Sequence, residues 1–140
     1  MFKDEIQLRV SYADTDQMGY MYYGNYARFY EIARTDSLRK LGITYKEIEA
    51  AGIMMPVVEN TSKFLRPALY DELLTIKTYL KELPAQRAIF DYEIFNEKEK
   101  LINLGQTTLA FVNANNRRPC LAPEILLSVL KPFFTDAKSH

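Results

Sequence analysis

The chain predicts an α+β domain, one long helix packed against an antiparallel sheet, and three observations carry that expectation. The elements run in the order strand, long helix, then about four strands. The later strands alternate apolar and polar side chains and are joined by hairpin-length loops, which makes the sheet antiparallel. At 140 residues, 48% of them hydrophobic, without repeats, low-complexity tracts or a Gly/Ser-rich linker, the chain fills one core and forms a single domain over 1–140.

Residues 5–12 alternate as a strand, with Ile6, Leu8 and Val10 on one face and Arg9 on the other. The run Asp14-Thr15-Asp16-Gln17-Met18-Gly19 is turn-like, and regular helix is expected to start near Gly24 or Asn25. Tyr26, Phe29, Tyr30, Ala33 and Ser37 then follow helical spacing, opposite Arg28, Glu31, Thr35 and Arg39. That helix stops near Leu41-Gly42, and a shorter one over 45–51 closes at Gly52. Residues 53–65 read as a strand bent at Pro56. Strands at 74–80, 88–94 and 101–113 follow, separated by Pro84-Ala85 and the charged loop 96–100. The tail supports a short helix with Pro123 in its first turn and Pro132 at its end.

Composition excludes several functions. Lys+Arg and Asp+Glu each total 18, so no broad cationic field is available for nucleic acid or an anionic membrane. The N-terminus lacks a signal-like apolar core and no stretch approaches the length that spans a bilayer, so a soluble, cytoplasmic protein is expected. Cys120 is the only cysteine, which excludes an internal disulfide and reads as a packing residue. The only histidine is His140, the last residue, where a chain usually frays. Histidine-based triads and metal sites therefore find no internal residue, and neither metal nor cofactor is expected.

The segment Tyr12-Ala-Asp14-Thr-Asp16-Gln-Met-Gly19-Tyr-Met-Tyr-Tyr23-Gly-Asn25-Tyr26, followed by Phe29-Tyr30-Glu31-Ile-Ala33-Arg34, resembles the signature of hotdog-fold thioesterases of the 4-hydroxybenzoyl-CoA thioesterase family. It is also similar to acyl-CoA thioesterases encoded near bacterial envelope genes. A second stretch, residues 64–73, is similar to that family's turn between its second and third strands. The resemblance implies a hotdog fold, five antiparallel strands wrapped around the helix, with two subunits joining their sheets and active sites at the shared interface. It places Asp16 on the catalytic aspartate, Gly19 on the loop glycine, and Tyr23 on the residue whose backbone N–H polarises the thioester carbonyl. Many envelope-linked members carry histidine at the position of Tyr23, whereas the 4-hydroxybenzoyl-CoA branch carries tyrosine.

The chemistry is coherent on its own terms. An ordinary aspartate carboxyl is ionised at neutral pH, suited to attack a thioester carbon or to activate water. Thiolate leaves with little need of protonation, so a missing histidine is no obstacle, and unpaired N–H groups at a helix start can stabilise the oxyanion. Catalytic candidates are Asp16 and Tyr23; candidate substrate contacts are Gly19, Gly24, Asn25, Tyr26, Glu59, Arg66 and Arg87. Each has a plainer alternative. Asp14 reads as a turn or cap residue, Asn25 as a cap, and Tyr20, Tyr22, Tyr23 and Tyr26 as packing or interface side chains. Glu59 reads as a solvated strand residue and Glu31 as an ion-pairing one. Arg66, Arg87, Arg117 and Arg118 suit coenzyme A phosphates if they are not simply solvated. The expected substrate is an acyl-CoA or acyl-carrier-protein thioester, and the expected assembly a homodimer or homotetramer. A non-catalytic acyl-thioester binder is the alternative. A dehydratase of the same fold would need a histidine that the interior of this chain does not contain.

Overall fold

The computed structural model describes residues 1–135; His140 lies outside them. The elements are β1 (Phe2–Arg9), α1 (Tyr26–Lys40), α2 (Tyr45–Ala50), β2 (Ile53–Met54), β3 (Val57–Phe64), β4 (Leu73–Leu80), β5 (Arg87–Phe95), β6 (Leu101–Ala110), β7 (Val112–Asn113) and α3 (Glu124–Leu130). Single 3-10 turns at Tyr12–Asp14 and Tyr23–Asn25 lead into α1. Five strands make one antiparallel sheet in the order β1-β4-β5-β6-β3, and β2 pairs with β7 beside it. This is the hotdog architecture, with α1 against the inner face of the sheet. No helix among the described residues is long and apolar enough to cross a membrane.

Local chemistry accounts for the boundaries, including those that differ from the sequence reading. β1 starts at Phe2 rather than residue 5, because the Phe2 ring is buried and meets Phe133 edge-on with centroids 5.0 Å apart. It ends at Arg9, since the Val10 N–H leaves the ladder to donate to the Glu72 carbonyl at 2.9 Å. Pro56 separates β2 from β3, as its ring and missing N–H require. The long final strand breaks after Ala110, and the chain changes partner from β3 to β2.

Helix α1 buries Tyr26, Phe29, Tyr30, Ala33, Ser37 and Leu38, the spacing of one helical face. Each large side chain removed from water contributes roughly 1.5–3 kcal/mol. The tightest contact is between Tyr30 and Gly105. The Tyr30 ring stacks on Tyr92 with centroids 4.3 Å apart and covers Gly105, where an added Cβ would lie 2.2 Å from Tyr30 Cζ. The Tyr30 hydroxyl donates to Asn103 Oδ1 and lies 2.8 Å from Ser62 Oγ. Burial pushes this phenol up to about 12, so it stays a neutral donor.

β3 forms one edge of the sheet, and all but one of its side chains are exposed, among them Val57, Val58 and Phe64 at 48%, 47% and 50%. Gly105 provides the test of the packing beneath α1. Gly105→Ala is expected to destabilise by about 1–3 kcal/mol, because no rotamer change of a stacked, buried tyrosine clears a backbone-borne methyl. Thermal denaturation checks this, and a midpoint equal to the parent's would show that α1 can lift from the sheet at no cost.

Candidate active site

The site is built on the chain between β1 and α1, and a buried aspartate organises it. Asp14 is 4% exposed. Its Oδ2 accepts from the Ser11 amide at 2.9 Å and the Ser11 hydroxyl at 2.8 Å, and its Oδ1 pairs with the Arg28 guanidinium on α1. Its carbonyl accepts from the Tyr22 amide at 2.8 Å and from Asn25 Nδ2 at 2.9 Å. Burial alone would push the Asp14 carboxyl up, but the Ser11 donors and the Arg28 charge outweigh it and hold the carboxyl below the ordinary aspartate value.

Two residues on, Asp16 is exposed. Its Oδ1 accepts from the Met18 amide at 2.8 Å and from the Tyr20 amide at 3.4 Å. The loop closes on itself, with the Gly19 N–H donating to the Asp16 carbonyl at 3.1 Å and the Asp16 N–H donating to the Tyr20 carbonyl at 2.9 Å. Gly19 has φ +79°, and nothing lies within 4 Å of the position its Cβ would take, so glycine is needed for conformation and not for space. The segment before β4 backs this loop: the Met21 N–H donates to the Ala68 carbonyl at 2.8 Å, and the Tyr70 N–H to the Gly19 carbonyl at 3.2 Å. One carboxylate oxygen of Asp16 is thus anchored. The other, Oδ2, has no hydrogen-bond partner among the described residues.

The 3-10 turn Tyr23–Asn25 runs directly into α1. Its backbone bonds start with the Asn25 N–H, which donates to the Tyr22 carbonyl at 2.9 Å. The amides of Tyr23 and Gly24 therefore have no acceptor among the described residues, as first-turn amides usually do not. The Tyr22 ring lies over Gly24, with Cε2 2.6 Å from the position of a Cβ there. The exposed Tyr23 ring meets Tyr22 and, at 6.3 Å, Phe64 of β3; the buried Tyr26 ring meets Phe64 at 5.0 Å. Two free N–H donors with a helix dipole behind them can stabilise an oxyanion, and a free carboxylate oxygen nearby in the chain can attack or deprotonate.

The remaining candidates are distributed unevenly. Asn25 makes no side-chain cap; its amide ties the helix start to Asp14. Arg66 is exposed on the segment that backs the Asp16 loop, two residues before Ala68. Arg87 opens β5 opposite Ala110, whereas Phe64 pairs with Asn103, itself opposite Ile94, so Arg87 lies seven rows away, roughly 23 Å at strand rise. Glu59 is exposed and adjacent to Asn60, which points inward to accept from Thr107, so Glu59 faces the outer side of the sheet. Glu31 is exposed on α1, and Arg117 and Arg118 are exposed on the turn after β7. Cys120 is half-buried, and its N–H donates to the Phe111 carbonyl at 2.9 Å. A cavity of about 610 Å³ opens on the outer face of the sheet beside Thr61, Tyr79, Glu93 and Gln106, away from Asp16. Sequence reasoning missed the partnership of Arg28 with Asp14 and the burial of Arg34. The second was detectable, since Arg34 follows Tyr30 by four residues on the buried stripe.

With this geometry, residues 10–130 match the family model described as the thioesterase-like superfamily, and the chain belongs to that family. The Bacillus subtilis protein YneP is 33% identical over 99 residues, 71% of this chain and 70% of its own length. The acyl-CoA thioester hydrolase YbgC of Escherichia coli is 28% identical over 124 residues, 89% of this chain and 92% of its own. The crystal structure of a DHNA-CoA thioesterase from Staphylococcus aureus superposes with a TM-score of 0.81 at 32% identity, covering 99% of this chain and 88% of that one.

The depressed Asp14 carboxyl makes a signed prediction. Its clamp contributes stability that is present above the ordinary aspartate range and lost as pH falls through the lower folded value. Asp14→Asn is expected to cost about 1–3 kcal/mol at neutral pH. The variant's stability should also change less than the parent's between about pH 5 and pH 2. Urea unfolding at several pH values measures both, and identical pH profiles for parent and variant would remove the clamp from this account.

Proposed function

We propose that the chain is a thioesterase that hydrolyses an acyl-CoA, with Asp16 as nucleophile or general base and the Tyr23 N–H, joined by that of Gly24, as oxyanion donor. The observation that carries this reading is the state of Asp16. One oxygen is fixed by backbone amides and the other is free, on the loop that delivers unpaired amides at the start of α1. As a base, Oδ2 takes a proton from water while the water oxygen bonds to the thioester carbon. As a nucleophile, it bonds to that carbon itself and the resulting anhydride is opened by water. In either route the carbonyl electrons rest on an oxyanion facing the two amides, the C–S bond then breaks, and thiolate and carboxylic acid leave.

Membership of the thioesterase-like superfamily supports the reaction, and the name of the Escherichia coli relative supports coenzyme A as carrier. An acyl-carrier-protein thioester offers the same reacting atoms. Gly19 sets the loop and Tyr26 the apolar floor, while Arg66 is the cation of this chain best placed for carrier phosphates. Asp16→Asn keeps the shape of the side chain and an oxygen for the Met18 amide but removes the charge. We expect kcat for acyl-CoA to fall at least about a hundredfold with an unchanged melting temperature. Free-thiol release assays decide the matter, and near-parental turnover would leave the non-catalytic binder standing.

The same reading requires a second subunit. β3 offers a row of unpaired backbone groups flanked by exposed Val57, Val58 and Phe64, and pairing with a two-fold mate would satisfy them and enclose the Asp16 loop. Glu59 and Arg87, remote from Asp16 within one chain, then reach a substrate only from the neighbouring protomer. Sedimentation equilibrium should give a dimer or a multiple of it; an active monomer at assay concentration would refute the arrangement.

A further inference from the structure

Asp16 and the amides of Tyr23 and Gly24 must face one thioester together, yet they stand on separate spans of chain. The side chain of Asp16 bonds only within its own loop, to the Met18 and Tyr20 amides. Among the described residues, every hydrogen bond between residues 11–16 and residues 22–28 ends on Asp14. Its carbonyl accepts from the Tyr22 amide and from Asn25 Nδ2, and its carboxylate takes the Arg28 guanidinium. Asp14 is therefore the junction whose position sets the spacing between Asp16, two residues on, and the oxyanion donors.

The Ser11 amide and hydroxyl tie the Asp14 carboxylate to the exit of β1, and they cannot fix it relative to the helix. Arg28 does so from the first turn of α1. Its guanidinium also lies over the buried Phe29 ring, with Cζ 5.2 Å from the centroid, which limits its freedom. Asn25 and Arg28 thus hold the two polar ends of one residue, carbonyl and carboxylate, from adjacent positions at the helix start. Without Arg28 a carboxylate only 4% exposed keeps Ser11 as its sole partner. A buried charge left uncompensated in this way turns toward water or takes up a proton, and the carbonyl that carries Tyr22 and Asn25 shifts with it. Misplacing reacting groups by about 1 Å costs on the order of a hundredfold in rate. The Arg28 side chain is half-exposed, so a grip on carrier phosphates is the competing role, and the two roles differ in what they do to KM.

We propose that Arg28 is a positioning residue for thioester hydrolysis, acting through Asp14, and that Asn25 serves the same spacing from the carbonyl side without touching the substrate. The inference rests on the thioesterase reading. Its test uses octanoyl-CoA or benzoyl-CoA, whichever the parent turns over faster, and the matching acyl-pantetheine, which lacks the nucleotide phosphates. Below the melting range, Arg28→Met should lower kcat about tenfold for both thioesters with KM within about twofold of the parent's, and Arg28→Lys should recover most of the loss. Asn25→Ala should show the same split, and it remains informative if Arg28→Met fails to fold. In an Asp14→Asn background, Arg28→Met should cost less than about twofold more, because the two act as one unit. Parental kcat in folded Arg28→Met would reduce the pair to a structural tie and overturn the proposal. A raised KM for the acyl-CoA alone would overturn it in favour of phosphate binding, and a full tenfold loss in the Asp14→Asn background would remove Asp14 as the intermediary. Hydrolysis by the parent that is lost in Asp16→Asn but kept in Arg28→Met sinks only this inference, whereas a parent that releases no thiol from either acyl-CoA sinks the thioesterase reading with it.

Discussion

The carboxylate of Asp14 joins segments that the rest of the site depends on. It collects the Ser11 amide and hydroxyl at the exit of β1 and the Arg28 guanidinium on the first turn of α1, and its backbone carbonyl collects Tyr22 and Asn25 at the helix start. Without these bonds the loop 15–21 would keep only its internal bonds and those to the segment before β4. With them, the loop has two short anchored spans, so Asp16 can expose a free oxygen without being disordered. A buried ion pair is weak evidence for net stability, because desolvation offsets most of its attraction. Its worth here is geometric: it sets where the Tyr23 and Gly24 amides stand relative to the loop, and preorganised donors gain their effect from not having to move.

The second constraint is the polar seam beneath α1. A helix packed on a sheet is usually sealed by aliphatic side chains, yet the inner positions of β6 read Asn103, Gly105 and Thr107, facing Tyr30 and Tyr92. The hydroxyls are satisfied in series, Tyr92 donating to Thr107 at 3.0 Å and Thr107 to Asn60 at 2.7 Å, so the seam ends on the edge strand. Satisfied buried networks fix one packing arrangement where an apolar interface would permit several. This seam holds β3 in register against α1.

Most of the fold was legible because it rests on local rules. Helix α1 follows from the spacing of Tyr26, Phe29, Tyr30 and Ala33, the break between β2 and β3 from Pro56, and the antiparallel sheet from alternation and short loops. The turn at Gly19 follows from the positive φ that position adopts, which glycine takes at no steric cost. What escaped was set by contacts distant in sequence. Asp14 and Asp16 look alike as turn aspartates; the Ser11 bonds to Asp14 are local, but it takes the folded position of Arg28 to complete the clamp on the first and leave the second open. The face of Glu59 depends on a register irregularity between Val57 and Glu59, which no alternation pattern reveals. Arg34 lies on the buried stripe four residues after Tyr30, but its charge masks that position in the sequence.

That last burial bears on how the family's chemistry is tuned in this chain. The mechanism proposed above requires only a carboxylate, two amides and a leaving thiolate, and none of these discriminates one acyl group from another. Selectivity must come from the walls, and hydrophobic walls alone discriminate weakly, since one methylene alters a transition state by only about 1–3 kcal/mol. In this chain α1 holds the unpaired amides at its start and the buried Arg34 guanidinium on its third turn on one rigid element, so loop motion does not change their separation.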